Sequence, residues 1–267
     1  MDFSVSDFNV RLRTIRLREF AVALVAALII TLLLDVLFPI MDVYDDLLVV
    51  SLVLCLLVFF VWALRNTDGL KRDINALFEP ETSREILYVL IINRLFAFIY
   101  VSIGASFDIV LTVFDPTWIP SLDLSPVYYG DSIIYFLMLF TSIICAPLIE
   151  ELSFRGVLFN RLKIRIGILP AMLLSSVFFA VGHEFGGIIS AFVFGMCMCV
   201  LYLKTDNIFV PMAVHFLNNL LICIMEYFNM ESFLFGTPSA FLMLVLSVVS
   251  GVLIIIYLIR EIPKLSA

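Results

Sequence analysis

The chain has 267 residues, 63% of them hydrophobic and only 15% charged, with a mean hydropathy of +1.14. That composition lies far outside the range of soluble globular domains and reads as an integral membrane protein. A formal net charge of −7 argues against nucleic acid as a partner, because phosphate binding needs a basic surface.

Residues 1–18 are mostly polar and show no cleavable signal-peptide pattern. They read either as a solvated cytoplasmic tail or as an amphipathic helix on the inner leaflet. In the second case Phe3, Phe8 and Val10 face lipid while Arg11, Arg13, Arg16 and Arg18 face anionic headgroups. Beyond them, apolar runs recur at the length of about 18 to 25 residues that crosses a hydrocarbon core of roughly 30 Å as helix. They predict an all-α polytopic transmembrane helical bundle of about eight spans, near 19–40, 47–64, 86–114, 132–164, 168–183, 187–203, 208–228 and 238–259.

The connections alternate in charge. "MDVYDD" at 41–46 and the loop with Asp115, Asp123 and Asp131 are acidic. Arg65, Lys71, Arg72 and Arg84 mark the second connection, and Arg161, Lys163 and Arg165, then Lys204, then Arg260 and Lys264 mark later ones. The positive-inside rule therefore places both termini in the cytoplasm, across the plasma membrane in a bacterial host. The prolines and aromatics of 115–131 suit the outer interface. The five cysteines sit in apolar runs without metal-ligand spacing and are expected to be buried small hydrophobes.

Ionisable groups at bilayer depth cost several kcal/mol unless paired or hydrated, so each one marks a candidate site. At 1.5 Å per residue, Glu150 stands roughly 20 Å above the basic end of its helix at Lys163, and His183 about 24 Å above Gly167. His215 and Asn219 stand roughly 12 and 18 Å above Asn207. Four polar groups on three helices thus fall toward the middle of the membrane, and they include the chain's only 2 histidines. Glu151 and Arg155 are spaced i, i+4 and can pair on one face, while Glu150 points about 100° away. Phe179 with His183, and His215 with Asn219, have the same spacing. Pro147 is placed to loosen the backbone ladder near the two glutamates.

One carboxylate with two imidazoles can do either of two jobs. Glu150 and His183 can deprotonate a water that attacks a peptide carbonyl, with His215 and Asn219 donating to the oxyanion. Alternatively Glu150, His183 and His215 hold a divalent metal such as zinc, with Glu151 or Asn219 behind the ligands. No HExxH is present to favour zinc. Singly these residues have blander readings: Glu151 with Arg155 as a structural brace, Phe179 as packing, Asn93, Arg94 and Asp35 as structural polar groups, and Asp108 as a hydrated residue.

"EELSFR" at 150–155 followed by Gly156, "FAVGH" at 179–183 and "HFLNN" at 215–219 resemble the motifs of the CAAX protease and bacteriocin-processing family, CPBP or Abi, of intramembrane endopeptidases. The resemblance covers about 130–225. It implies an eight-helix bundle with a conical cavity open to the cytoplasm, Glu150, His183, His215 and Asn219 as the catalytic set, and Glu151 and Arg155 in support. It leaves both metalloprotease and metal-free glutamate mechanisms open. The organisation expected is a tail (1–18), N-terminal transmembrane helices (19–126), family-like catalytic helices (127–228), and a C-terminal helix and tail (229–267). The substrate expected is a membrane-associated peptide or protein. The rival is a non-catalytic membrane scaffold, regulator or bacteriocin self-immunity protein that keeps the motifs. A transporter with a polar midplane site is a third reading, but the sequence shows no paired Gly/Pro-broken helices of the sort transporters use.

Overall fold

The computed structural model of the chain describes residues 1–38, 46–120 and 133–265. The acidic stretch 41–45 and the loop residues Asp123 and Asp131 lie outside the described residues. Among the described residues ten helices carry the fold: α1 (Phe8–Thr14), α2 (Leu17–Leu37), α3 (Asp46–Ala63), α4 (Pro80–Ala97), α5 (Ile99–Phe114), α6 (Tyr135–Ile166), α7 (Ile168–Val181), α8 (Ile188–Thr205), α9 (Phe209–Tyr227) and α10 (Ser239–Leu265). Leu70–Asn75 and Met230–Leu234 add short helical turns.

Among the described residues, 6 helical segments are long and apolar enough to cross a membrane: Leu17–Leu37, the continuous pair Pro80–Phe114, Tyr135–Ile166, Phe185–Thr205, Phe209–Tyr227 and Ser239–Leu265. The segments expected as spans near 47–64 and 168–183 form shorter apolar helices, α3 and α7. The 14 residues of α7 rise only about 21 Å, less than a hydrocarbon core. The all-helical polytopic bundle is thus present with about six spans, and eight are not confirmed.

Lipid is the solvent this surface requires. Val22, Leu32, Leu33 and Val36 of α2 all stand more than half exposed, as do Val245, Val248, Val252 and Ile255 of α10. In water a continuous apolar sleeve of this kind would aggregate. The inward face is small or polar instead. Ser247 is fully buried and its hydroxyl lies 2.8 Å from the Leu95 carbonyl of α4, letting α10 pack closely on α4.

Local chemistry sets the corners. Gly167, at φ +85°, ends α6 and starts α7 in one residue, a backbone state that disfavours any side chain. Asp7 caps α1 by accepting from the Val10 amide at 3.0 Å. The N-terminal segment is docked against the bundle: Leu12 and Ile15 are fully buried and Arg11 is 4% exposed, while Phe3 and Val10 stay exposed. Arg11 donates to the carbonyls of Phe3, Val5 and Arg65, and Asn9 accepts from the Ile208 amide at the start of α9. Asp108, expected to be hydrated, is buried and accepts from the Trp118 indole at 3.0 Å. The cysteines are unpaired; Cys145, Cys197 and Cys199 are buried as expected, whereas Cys55 and Cys223 are only half-buried.

Candidate active site

The two glutamates sit in a helix whose backbone is locally unwound. Thr141–Cys145 and Leu152–Phe159 are π-helical, on either side of a short α-helical piece, Ala146–Glu151. Pro147 explains the first of these. Within it the Ala146 amide donates five residues back to Thr141, so residue 147 would be due to donate to Ser142, and proline has no N–H to give. The Ser142 carbonyl instead accepts from Nδ2 of Asn219 on α9, at 2.9 Å. A sequence feature of α6 thus anchors a carboxamide on another helix.

Glu150, His183, His215 and Asn219 all line one cavity of about 850 Å³, together with Ser142, Phe179 and Phe194. Oε2 of Glu150 lies 3.7 Å from Nε2 of His215. Behind the ring, Nδ1 of His215 is 2.9 Å from Oε1 of Glu151, and the same oxygen accepts from Arg155 at 3.0 Å. Glu151 and Arg155 are both fully buried. Because a carboxylate only accepts, Nδ1 of His215 carries a hydrogen and Nε2 is turned to Glu150 and the cavity. His183 is exposed at the cavity wall, and its Nδ1 faces the Phe179 carbonyl at 3.0 Å, which leaves its Nε2 free as well.

The expected Glu151–Arg155 brace is present, but it is also the support of His215. Phe179 is more than packing. The Arg155 guanidinium lies 4.4 Å from its ring centroid, and the rings of His183 and His215 stand 4.8 and 5.7 Å from it. Phe194 closes the other side of His215 at 5.1 Å. Sequence reasoning missed Ser142 and Phe194, and gave Phe179 and Arg94 structural parts; Arg94 also lines the cavity. For Ser142 the signal was Pro147, five residues downstream.

The donor chemistry suits a metal in one respect, since each imidazole has Nδ1 engaged and Nε2 open. Among the described residues, however, no three histidine, cysteine or acidic groups gather as a ligand set. Glu150 is beside His215, and His183 lines the same cavity.

Comparison with known proteins bears on the same stretch. Residues 132–221 match the family described as Type II CAAX prenyl endopeptidase Rce1-like. A Bacillus subtilis (strain 168) protein named "Putative membrane peptidase YdiL" is 30% identical over 99 residues, which cover 37% of this chain and 41% of that protein. The chain thus spans less than half the length of the curated relative it matches. No solved structure matches. Each similarity covers about a third of the chain, and both are similarities to membrane proteins of the CAAX-protease/CPBP kind.

Proposed function

We propose that the chain is an intramembrane endopeptidase that hydrolyses a peptide bond in a membrane-associated peptide or protein, with both of its termini in the cytoplasm. The observation that carries this reading is Glu150 beside a histidine that a buried carboxylate holds from behind, in a cavity that also presents His183 and Asn219.

In the proposed reaction a water held by Glu150 and Nε2 of His183 attacks the carbonyl carbon, and its proton passes to the Glu150 carboxylate. The carbonyl oxygen becomes an oxyanion facing Nδ2 of Asn219, which has a second hydrogen beyond the one given to Ser142, and Nε2–H of His215, whose ring enters the reaction with a hydrogen on each nitrogen and keeps both throughout. The buried Glu151 carboxylate balances the charge of that ring in a medium of low dielectric. As the C–N bond breaks, Glu150 returns its proton to the leaving nitrogen. The products are a carboxylic acid and an amine.

A divalent ion such as zinc, held by Glu150, His183 and His215, is the alternative for the same residues. No step above is routed through it. The non-catalytic scaffold reading draws on one observation, that the Glu151–Arg155–His215 network also ties α6 to α9. The two readings separate on Glu150→Gln, which keeps size and removes the base. Comparative proteomics of cells with wild type and with this variant should show a membrane peptide whose processing disappears. A variant that inserts, folds and keeps the full biological effect would support the scaffold.

A further inference from the structure

The cavity reaches only one end of the bundle, and the distribution of charge identifies the membrane face on which that end lies. Every lysine and arginine in the chain except Arg94 and Arg155 falls on α1, at the start of α2, between the end of α3 and the first turns of α4, or at the ends of α6, α8 and α10. Cross-contacts show that these termini form one surface: Arg13 pairs with Asp206, Arg161 donates to the Ile15 carbonyl, and Lys204 lies 2.6 Å from Glu85. By the positive-inside rule this surface is cytoplasmic.

The cavity does not approach it. From Glu150, Phe179 and His215 at mid-height, its wall runs to Glu184 in the α7–α8 turn, to Glu226 at the end of α9 and to Glu231 in the turn after it. Glu226 stands about 19 residues along α9 from Asn207, roughly 28 Å at 1.5 Å per residue, close to the full thickness of a hydrocarbon core. Two independent features mark this far end as the opposite interface. Toward it the cavity wall sets Glu184, Glu226 and Glu231 against a single cation, Arg94, and it exposes Phe185, Tyr227, Phe228 and Phe233, each at least two-thirds accessible, as the aromatic girdle of an interface does.

We infer that the candidate site opens to the extracytoplasmic face, opposite to the cytoplasmic mouth that the sequence resemblance implies. Resting on the endopeptidase reading, this narrows the substrate to a peptide segment presented at the outer interface of the membrane and excludes a cytoplasmic tail. Depth agrees with that narrowing, because a segment entering between Glu184 and Glu231 reaches Glu150 and His215 without passing the packed layer of Leu12, Phe159 and Tyr202 at the basic end.

The test is cysteine accessibility in intact bacterial cells that express the full chain, with the partly exposed Cys55 and Cys223 changed to serine as the blank. Phe185→Cys and Phe233→Cys report the cavity end, and Lys71→Cys reports the basic end. A membrane-impermeant maleimide should label the first two in intact cells and Lys71→Cys only after permeabilisation. Labelling of Phe185→Cys or Phe233→Cys only after permeabilisation, or of Lys71→Cys before it, overturns the inference. Labelling reads topology whether or not the protein cleaves anything, and Glu150→Gln reads cleavage whichever way the cavity faces, so either proposal can fail alone.

Discussion

The Glu151 carboxylate accepts from Arg155 and from His215 through one oxygen, at 3.0 and 2.9 Å, with both acid and arginine fully buried. A pair that four-residue spacing marks as a helix brace is therefore also the rear support of a ring on another helix. Glu151→Gln keeps both hydrogen-bonding partners and removes the charge. If the ring acts as proposed, kcat falls by about 10²-fold or more with KM little changed. Glu151→Ala leaves the Arg155 charge buried without an anion and should cost about 3–5 kcal/mol of stability, read as an earlier thermal transition in detergent.

Pro147 should matter for activity more than for folding. Pro147→Ala restores an N–H that competes with Asn219 for the Ser142 carbonyl. The loss of one anchoring hydrogen bond, about 1 kcal/mol, predicts roughly a five- to tenfold lower kcat. Because an internal proline is itself costly to a helix, the variant should unfold no earlier than wild type. An unchanged kcat would show that the anchor does not position Asn219.

Gly156 lets α1 dock against α6. A Cβ at Gly156 would lie 2.7 Å from a Leu12 methyl, and Leu12 is fully buried. Gly156→Ala should destabilise by about 1–3 kcal/mol, and adding Leu12→Ala should recover part of that loss, a coupling that a double-mutant cycle measures directly.

The docking of α1 should weaken in acid. Burial would raise the Asp7 carboxyl, but the Val10 amide and the Arg72 guanidinium outweigh it and hold it below the ordinary aspartate value of 3.8. A carboxyl lowered by folding stabilises fully above its unfolded value and loses that contribution as pH falls through its folded value. Hydrogen exchange across residues 8–14 should therefore accelerate below about pH 4 in wild type. In Asp7→Asn that acceleration should be much reduced.

Metal dependence decides the other version of the chemistry. If Glu150 and water suffice, purified protein keeps its activity under a strong chelator and holds substoichiometric metal. Stoichiometric zinc that is lost in His183→Ala and His215→Ala, with activity restored by adding it back, would assign those residues as ligands.

The sequence made legible what is local. Membrane class, helical content and the Glu151–Arg155 pair follow from composition and from spacings of four residues, and the same spacings carried Glu150, His183, His215 and Asn219 to one cavity. What it could not give is contact between distant residues. Glu151 and His215 are 64 positions apart, and Phe179, one of 26 phenylalanines, is distinguished only by having Arg155, His183 and His215 beside its ring. The N-terminal segment reads equally as tail or as surface helix, because its apolar residues find their partners on α6 and α9. Asp108 reads as hydrated because Trp118, which pairs with it, lies in another element.

The central claim is that Glu150 activates the water. Its most direct test is cleavage of a processed membrane peptide by the purified full chain in lipid bilayers, wild type against Glu150→Gln of matched thermal stability. The account predicts a loss of about 10²- to 10⁴-fold in the variant. Cleavage at the wild-type rate would contradict it.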